Sequence, residues 1–265
     1  MPLVTMKEVL SESVAKKYAV GAFDTFDPLF TEAILTGAER KGTPVILMVV
    51  EWSFDEVNCE HFFAYLVNRC RMSSVPVALH LDHGSSFEAV MKAIHYGCTS
   101  VMLDGSSLPM EENIALTKKV VEVAHACGVT VEAEIGHVAG HEGNMLDGNV
   151  ADESAYTTVH DAVYFCQQTD VDALAIAIGT VHGVYKGEPK LDLVRLDQIR
   201  SHLEIPLVLH GGSGLSPEMF RSAVRHGINK INFFTGMTLA ATAAVREILD
   251  ASTGNIPFHS RFMKN

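Results

Sequence analysis

Apolar residues fall into short β-branched runs along the chain, separated by longer segments whose apolar positions repeat at helical spacing. Eight runs read as strands: 19–24 ("AVGAFD"), 44–50 ("PVILMVV"), 76–82 ("PVALHLD"), 100–105 ("SVMLDG"), 129–136 ("VTVEAEIG"), 173–179 ("ALAIAIG"), 206–212 ("PLVLHGG") and 230–235 ("KINFFT"). Each is nearly continuous in apolar residues rather than alternating, as parallel strands covered on both faces are. Between them, stretches such as 28–42 and 109–128 are amphipathic, open on Pro and close on Gly, the residues that start and stop helices. Pro44, Pro76 and Pro206 each open a strand, where a missing N–H is tolerated. Eight strand–helix repeats predict one (β/α)₈ TIM barrel, a single α/β domain over 1–265. A doubly wound open sheet is the alternative. It uses fewer strands and usually carries a glycine-rich turn after the first, which "GAFDTFD" is not.

Composition narrows the function classes. At 48% hydrophobic over 265 residues the chain can bury a large core. A net charge of −12 argues against nucleic acid or an anionic membrane as partner, though a local site can still attract a small anion. No apolar run approaches the ~18–20 residues that span a bilayer, and the N-terminal residues lack a basic-then-apolar signal. Cys59, Cys70, Cys98, Cys127 and Cys166 form no C-x-x-C pair and read as reduced residues of a cytoplasmic protein.

The polar residues then acquire a pattern. Asp24 ends the first run, Glu51 follows the second, Asp82 and His83 end the third and Asp104 the fourth. Glu134 lies near the end of the fifth, His182 follows the sixth, His210 sits in the seventh, and Asn232 and Thr235 lie in the eighth. In a barrel these ends form one rim, where active sites of the fold are built. One histidine there is equally well a strand end reaching the surface. Three on separate strands, His83, His182 and His210, match a catalytic zinc centre with an open position. Asp104 and Glu134 are hard oxygen ligands for a second cation or partners that orient a histidine; interior carboxylates paired with Lys or His are the alternative. Gly211, Gly212 and Ser213 after the seventh strand, with Asn232 and Thr235 in the eighth, fall where barrels build a phosphate cradle. Gly183 and Lys186 follow His182, Lys186 reading equally as a surface lysine. Residues 136–154 form a long loop rich in Gly, Asn and Asp, and Glu142 within it could be carried into the site.

These motifs resemble the class II, zinc-dependent ketose-bisphosphate aldolases, which include fructose- and tagatose-bisphosphate aldolases. The similarity runs from "YAVGAFD" to "KINFFTG" and includes "HLDHG", "LDGSSLPMEENI", "VEAEIG", "AIGTVHGVYKGEPKLD" and "LHGGSG". The resemblance implies a (β/α)₈ barrel whose catalytic Zn²⁺ is held by His83, His182 and His210, with Asp104 and Glu134 at a second or alternative divalent position. It implies Asp82 as the acid/base, Glu142 as the carrier of the C3 proton, and Gly183, Gly211 to Ser213, Asn232, Phe233, Phe234 and Thr235 as the segments binding dihydroxyacetone phosphate. A nearby monovalent cation, Na⁺ or K⁺, and a homodimer or homotetramer are also implied. The reaction is reversible cleavage of a phosphorylated ketose through a metal-stabilised enediolate.

The match weakens where the aldehyde half is bound. The family's "AFN" is "AFD" here, with Asp24; Val50, Glu51 and Trp52 stand where relatives carry a small hydroxyl residue; Phe234 replaces an Asp or Ala. Arg261 stands at the position of a family arginine for the distal phosphate, while the preceding lysine is absent. An Asp in place of a neutral amide disfavours a dianionic end group. The expectation is therefore a ketose 1-phosphate whose far end is deoxy, sulfonated or acidic, with fructose or tagatose 1,6-bisphosphate as the alternative. Three rival readings remain: a Schiff-base aldolase, for which Lys230 opens its strand at the wrong rim and Lys186 lies in a loop; an inactive binder of metal or sugar phosphate; and a metal-dependent isomerase or epimerase.

Overall fold

A computed structural model describes residues 2–55, 58–140 and 150–251. Eight parallel strands close into a barrel in sequence order, β1 (Val20–Asp24), β2 (Val45–Val50), β3 (Val77–Gly84), β4 (Ser100–Leu103), β5 (Thr130–Ile135), β6 (Ala173–Ile176), β7 (Leu207–Leu209) and β8 (Ile228–Asn232), with β8 pairing β1. Two short helices, α1 (Met6–Leu10) and α2 (Ser13–Lys16), precede the barrel. An outer ring follows: α3 (Pro28–Lys41), α4 (Cys59–Arg71), α5 (Phe87–His95), α6 (Met110–Ala126), α7 (Val159–Thr169), α8 (Leu193–Arg200), α9 (Pro217–Arg225) and α10 (Thr235–Asp250).

Strand alternation divides the core in two. One set of strand side chains, including Leu47, Val49, Leu79, Leu81, Val101 and Leu209, packs beneath the helices against residues such as Leu35, Phe63, Val120 and Phe165. The other set points inward, where Ala22, Ile46, Met48, Ala78, Ala175 and Val208 meet Met6, Val9 and Leu10. α1 is thus the plug at the N-terminal end of the barrel, and a Thr5–Glu8 capping box starts it. The helices begin as their sequences direct. Asp27 caps α3 through the Phe30 N–H with Pro28 in the first turn, and Gly42 ends it at φ 63°. Among the described residues no helix is long and apolar enough to cross a membrane.

Several strand boundaries differ from those read in the sequence. β4, β6 and β7 end before their apolar runs do, so Asp104 and His210 stand just beyond strand ends. Glycines turn the chain there, Gly179 at φ 111° and Gly211 at φ 67°. β3 continues to Gly84, and Thr235 opens α10 instead of ending β8. The largest correction concerns Lys230. β8 starts at Ile228, so Lys230 is mid-strand, fully buried in the barrel, with its ammonium 2.8 Å from Glu132. It does not sit at the wrong rim.

Candidate active site

Along a regular strand, Asp82 and His83 would point to opposite faces. The β3–β4 register shifts between Leu81 and Gly84, so two residues of β3 oppose Met102 alone. This is a β-bulge, and His83 takes the left-handed conformation within it, at φ 48°. The bulge lets neighbouring side chains both reach the rim. Asp82 is fully buried and accepts from Asn232 Nδ2 at 2.9 Å; His83 turns toward His182 and His210. Gly84 follows because a Cβ there would lie 2.7 Å from the Met102 carbonyl oxygen.

The three histidines converge. His83 Nε2 lies 3.2 Å from His182 Nε2 and 3.0 Å from His210 Nδ1. Nitrogens about 2.0–2.1 Å from a tetrahedral zinc are separated by about 3.3 Å, so this spacing fits three ligands of one ion. On His83 and His210 the opposite ring nitrogen is engaged. His83 Nδ1 faces Asp104 Oδ2 at 2.7 Å, and His210 Nε2 faces Glu132 Oε1 at 3.0 Å. A second group, His83, Asp104 and Glu134, also offers ligand atoms within 4.8 Å of one another.

Electrostatics of the site follow from burial and charge. Burial, reinforced by the positive charge of His83, holds His182 and His210 well below the usual imidazole range. Burial also opposes charging His83, but the Asp82 and Asp104 carboxylates outweigh it and raise that group. For Asp104, burial is outweighed by the His83 hydrogen bond, which keeps the carboxyl low. Glu134 is raised to about 8 by burial and by Asp104. His83 is therefore the ring at which a cation competes most directly with a proton. Metal affinity is expected to rise with pH, by up to about tenfold per unit while His83 remains protonated. Zn²⁺ competition against a chelator between pH 5.5 and 7.5 checks this; an affinity independent of pH contradicts it.

The expected phosphate segments also come together. Gly211 and Gly212 pass so close to other backbone that a Cβ would lie 2.3 Å from the Val181 oxygen and 2.6 Å from the Asn232 oxygen. Tyr185 braces the turn, its hydroxyl donating to the Gly211 carbonyl at 2.8 Å. Ser213 Oγ accepts the N–H of Gly236 in the first turn of α10 at 2.9 Å. The Thr180 and Thr235 hydroxyls are buried without a hydrogen-bond partner among the described residues. A tight glycine turn, a helix N-terminus and unmatched hydroxyls suit an anion. Gly183, at φ 78°, turns the chain after His182. Lys186 is exposed and makes no ion pair with described residues. The half-buried Phe233 ring packs against Phe23 and Phe220. Glu142 and Arg261 lie outside the described residues.

Beside the histidines is a cavity of about 370 Å³, lined by His83, His182, Asp104, Glu134, Glu51 and Trp52 among others. Asp24 is buried at the end of β1, and Phe234 packs edge-on against Phe26. Sequence reasoning passed over Glu132 and misplaced Lys230. The available signal was the two-residue period of a strand, which sets Glu132 below Glu134 and Lys230 below Asn232.

Comparison with known proteins gives consistent matches. The family described as fructose-bisphosphate aldolase class-II matches residues 4–264. A fructose-bisphosphate aldolase of Geobacillus stearothermophilus is 46% identical over 255 residues, covering 94% of this chain and 86% of the relative. One of Staphylococcus aureus is 44% identical over 253 residues, covering 94% and 87%. The crystal structure of the YdjI aldolase from Escherichia coli K12 superposes with a TM-score of 0.83 at 32% identity, covering 94% of this chain and 88% of that one.

Proposed function

The chain belongs to the class-II fructose-bisphosphate aldolase family, and from that premise we propose that it reversibly cleaves a ketose 1-phosphate to dihydroxyacetone phosphate and an aldehyde whose far end is not an ordinary phosphate. The observation that carries the metal-dependent part is the approach of a His182 and a His210 ring nitrogen to within about one tetrahedral edge of His83 Nε2, with all three within 4.8 Å of one another. His83, His182 and His210 would hold Zn²⁺, and Asp104 and Glu134 offer oxygens for a second divalent cation. Zn²⁺ at this place supplies a Lewis acid for the negative charge left on the three-carbon fragment.

The remaining work belongs to the chain. The turn from Gly211 to Ser213, Gly183 and the start of α10 at Thr235 bind the phosphate and fix the sugar's position. Asn232 holds one oxygen of Asp82 and, among the described residues, leaves Oδ2 without a hydrogen-bond partner. That oxygen takes the C4 hydroxyl proton as C3–C4 breaks, and returns it to the aldehyde oxygen in synthesis. Glu142 is assigned the proton at C3. A homodimer or homotetramer, a monovalent cation beside the phosphate and a cytoplasmic location complete the reading.

The aldehyde half rests on the lining of the cavity. Among the described residues that line it are the acidic side chains of Glu51, Asp104 and Glu134, the last raised to about 8, and no lysine or arginine. Trp52 adds an aromatic face, and Asp24 replaces an amide at the end of β1. A dianion there meets repulsion; an uncharged, sulfonate or carboxylate end meets less. The zinc-loaded enzyme should cleave ketose 1-phosphates with such ends more efficiently than fructose or tagatose 1,6-bisphosphate. A kcat/KM above about 10⁴ M⁻¹s⁻¹ for either bisphosphate would overturn this part and leave a bisphosphate aldolase proper.

A further inference from the structure

Below the rim, the barrel interior holds a second polar layer that the proposed reaction does not use. His80 (β3), Glu132 (β5) and Lys230 (β8) each stand two residues before Asp82, Glu134 and Asn232, and all three are fully buried. Glu132 spans the layer. Its Oε2 lies 2.8 Å from Lys230 Nζ, and its Oε1 lies 3.0 Å from His210 Nε2. Lys230 Nζ also reaches His80 Nε2 at 3.4 Å, and His80 Nδ1 meets Ser100 Oγ at 2.7 Å.

With Lys230 an ammonium and Glu132 a carboxylate, one proton arrangement satisfies these contacts. A lysine ammonium has donors alone, so His80 Nε2 must accept from it, and His80 Nδ1–H must donate to Ser100. Glu132 takes an ammonium proton on Oε2 and can take the Nε2–H of His210 on Oε1. In a neutral ring that leaves His210 Nδ1 unprotonated, and Nδ1 is the nitrogen aimed at His83 Nε2, with Glu134 Oε2 3.3 Å away. His83 is fixed the opposite way, through Nδ1 on Asp104. Two ligands of one site thus need opposite tautomers, each selected by a carboxylate. Glu132 could not be left ionised in the barrel without a counter-charge, and Lys230 is that charge.

We propose that Glu132 and Lys230 are positioning residues for the metal: their ion pair locks His210 as the Nε2–H tautomer, presenting Nδ1 to a divalent cation. The proposal rests on the reading of His83, His182 and His210 as the metal site. It also gives Lys230 a role other than a Schiff-base nucleophile, since an ammonium paired with Glu132 and closed to solvent has no free lone pair to attack a carbonyl.

Two measurements test it. The first is a ¹⁵N–¹H correlation spectrum of the imidazole nitrogens in the metal-free wild type, with His210 assigned by substitution. The result expected is a protonated Nε2 and bare Nδ1 for His210, and the reverse for His80. A His210 protonated on Nδ1 alone overturns the proposal. The second is the Zn²⁺ affinity of the full chain and two double variants. E132M/K230M replaces the ion pair with apolar side chains of similar volume, a change that buried pairs commonly tolerate. It should bind Zn²⁺ about 10–100-fold more weakly than wild type, as loss of such ligand-orienting partners does. E132Q/K230M keeps a neutral acceptor for Nε2–H and should recover most of that loss. Wild-type affinity in a folded E132M/K230M overturns the proposal. If wild type itself binds no divalent cation, the metal reading fails, and this inference with it.

Discussion

Asp82→Ala is expected to lower kcat for carbon–carbon cleavage by about 10²–10⁴-fold, the usual worth of a positioned acid/base. The carboxylate is fully buried, so nothing in bulk water replaces it, and Asn232 fixes its orientation from across the barrel. The loss should be selective. Asp82 is assigned the C4 hydroxyl proton, which exists only in the cleavage and synthesis steps. Exchange of the C3 proton of dihydroxyacetone phosphate alone should therefore persist within about tenfold of wild type. Rapid-quench cleavage assays and solvent exchange on the same preparation separate the two. Equal losses in both would show that Asp82 serves the three-carbon fragment instead, or that its removal disturbs His83, whose Nε2 lies 3.9 Å from Asp82 Oδ2.

His182→Ala should abolish both half-reactions by emptying the metal site. His182 follows β6 and belongs to no strand ladder, so its removal need not undo the barrel. It is nevertheless buried and directed at His83 Nε2, so the site loses a ligand that water cannot supply with equal affinity. Zn²⁺ affinity should fall more than about 100-fold, beyond what loss of a ligand-orienting partner costs. Thermal melts give a direct readout. A ligand at 100 times its Kd stabilises the native state by about 2.7 kcal/mol, so wild-type Tm should climb with added Zn²⁺ while the variant's stays flat. A variant that still responds to Zn²⁺ as wild type does would remove His182 from the metal site.

The barrel was legible because parallel strands buried on both faces write themselves as continuous apolar runs, and "PVILMVV" matches the wholly buried β2. The candidate metal residues stood out because His83, His182 and His210 are polar exceptions at the ends of such runs. What failed has a physical cause in each case. The bulge at Asp82 and His83 depends on pairing with β4, and "HLDHG" carries no local mark of it except Gly84. The start of β8 was misplaced because Asn229 interrupts the apolar run before Lys230. Asn229 is itself buried in the ladder, its amide oxygen taking the Leu207 N–H at 3.1 Å and an Arg200 N–H at 3.3 Å. Polar residues satisfied by distant partners look like strand ends in a sequence, and that also hid the Glu132–Lys230 layer. Cleaner runs, such as that of β5, showed no such ambiguity, yet Glu132 still needed the inward-facing alternation to be traced one step below the rim.

These residues are expected to support a metal-dependent proton transfer on dihydroxyacetone phosphate, whatever the aldehyde. NMR of dihydroxyacetone phosphate incubated with the protein in D₂O tests it without an aldehyde. Stereospecific loss of one C3 proton that stops with a chelator and returns with Zn²⁺ is the predicted result. Absence of exchange from folded, zinc-loaded protein would contradict the account and leave the site as a binder of metal and sugar phosphate.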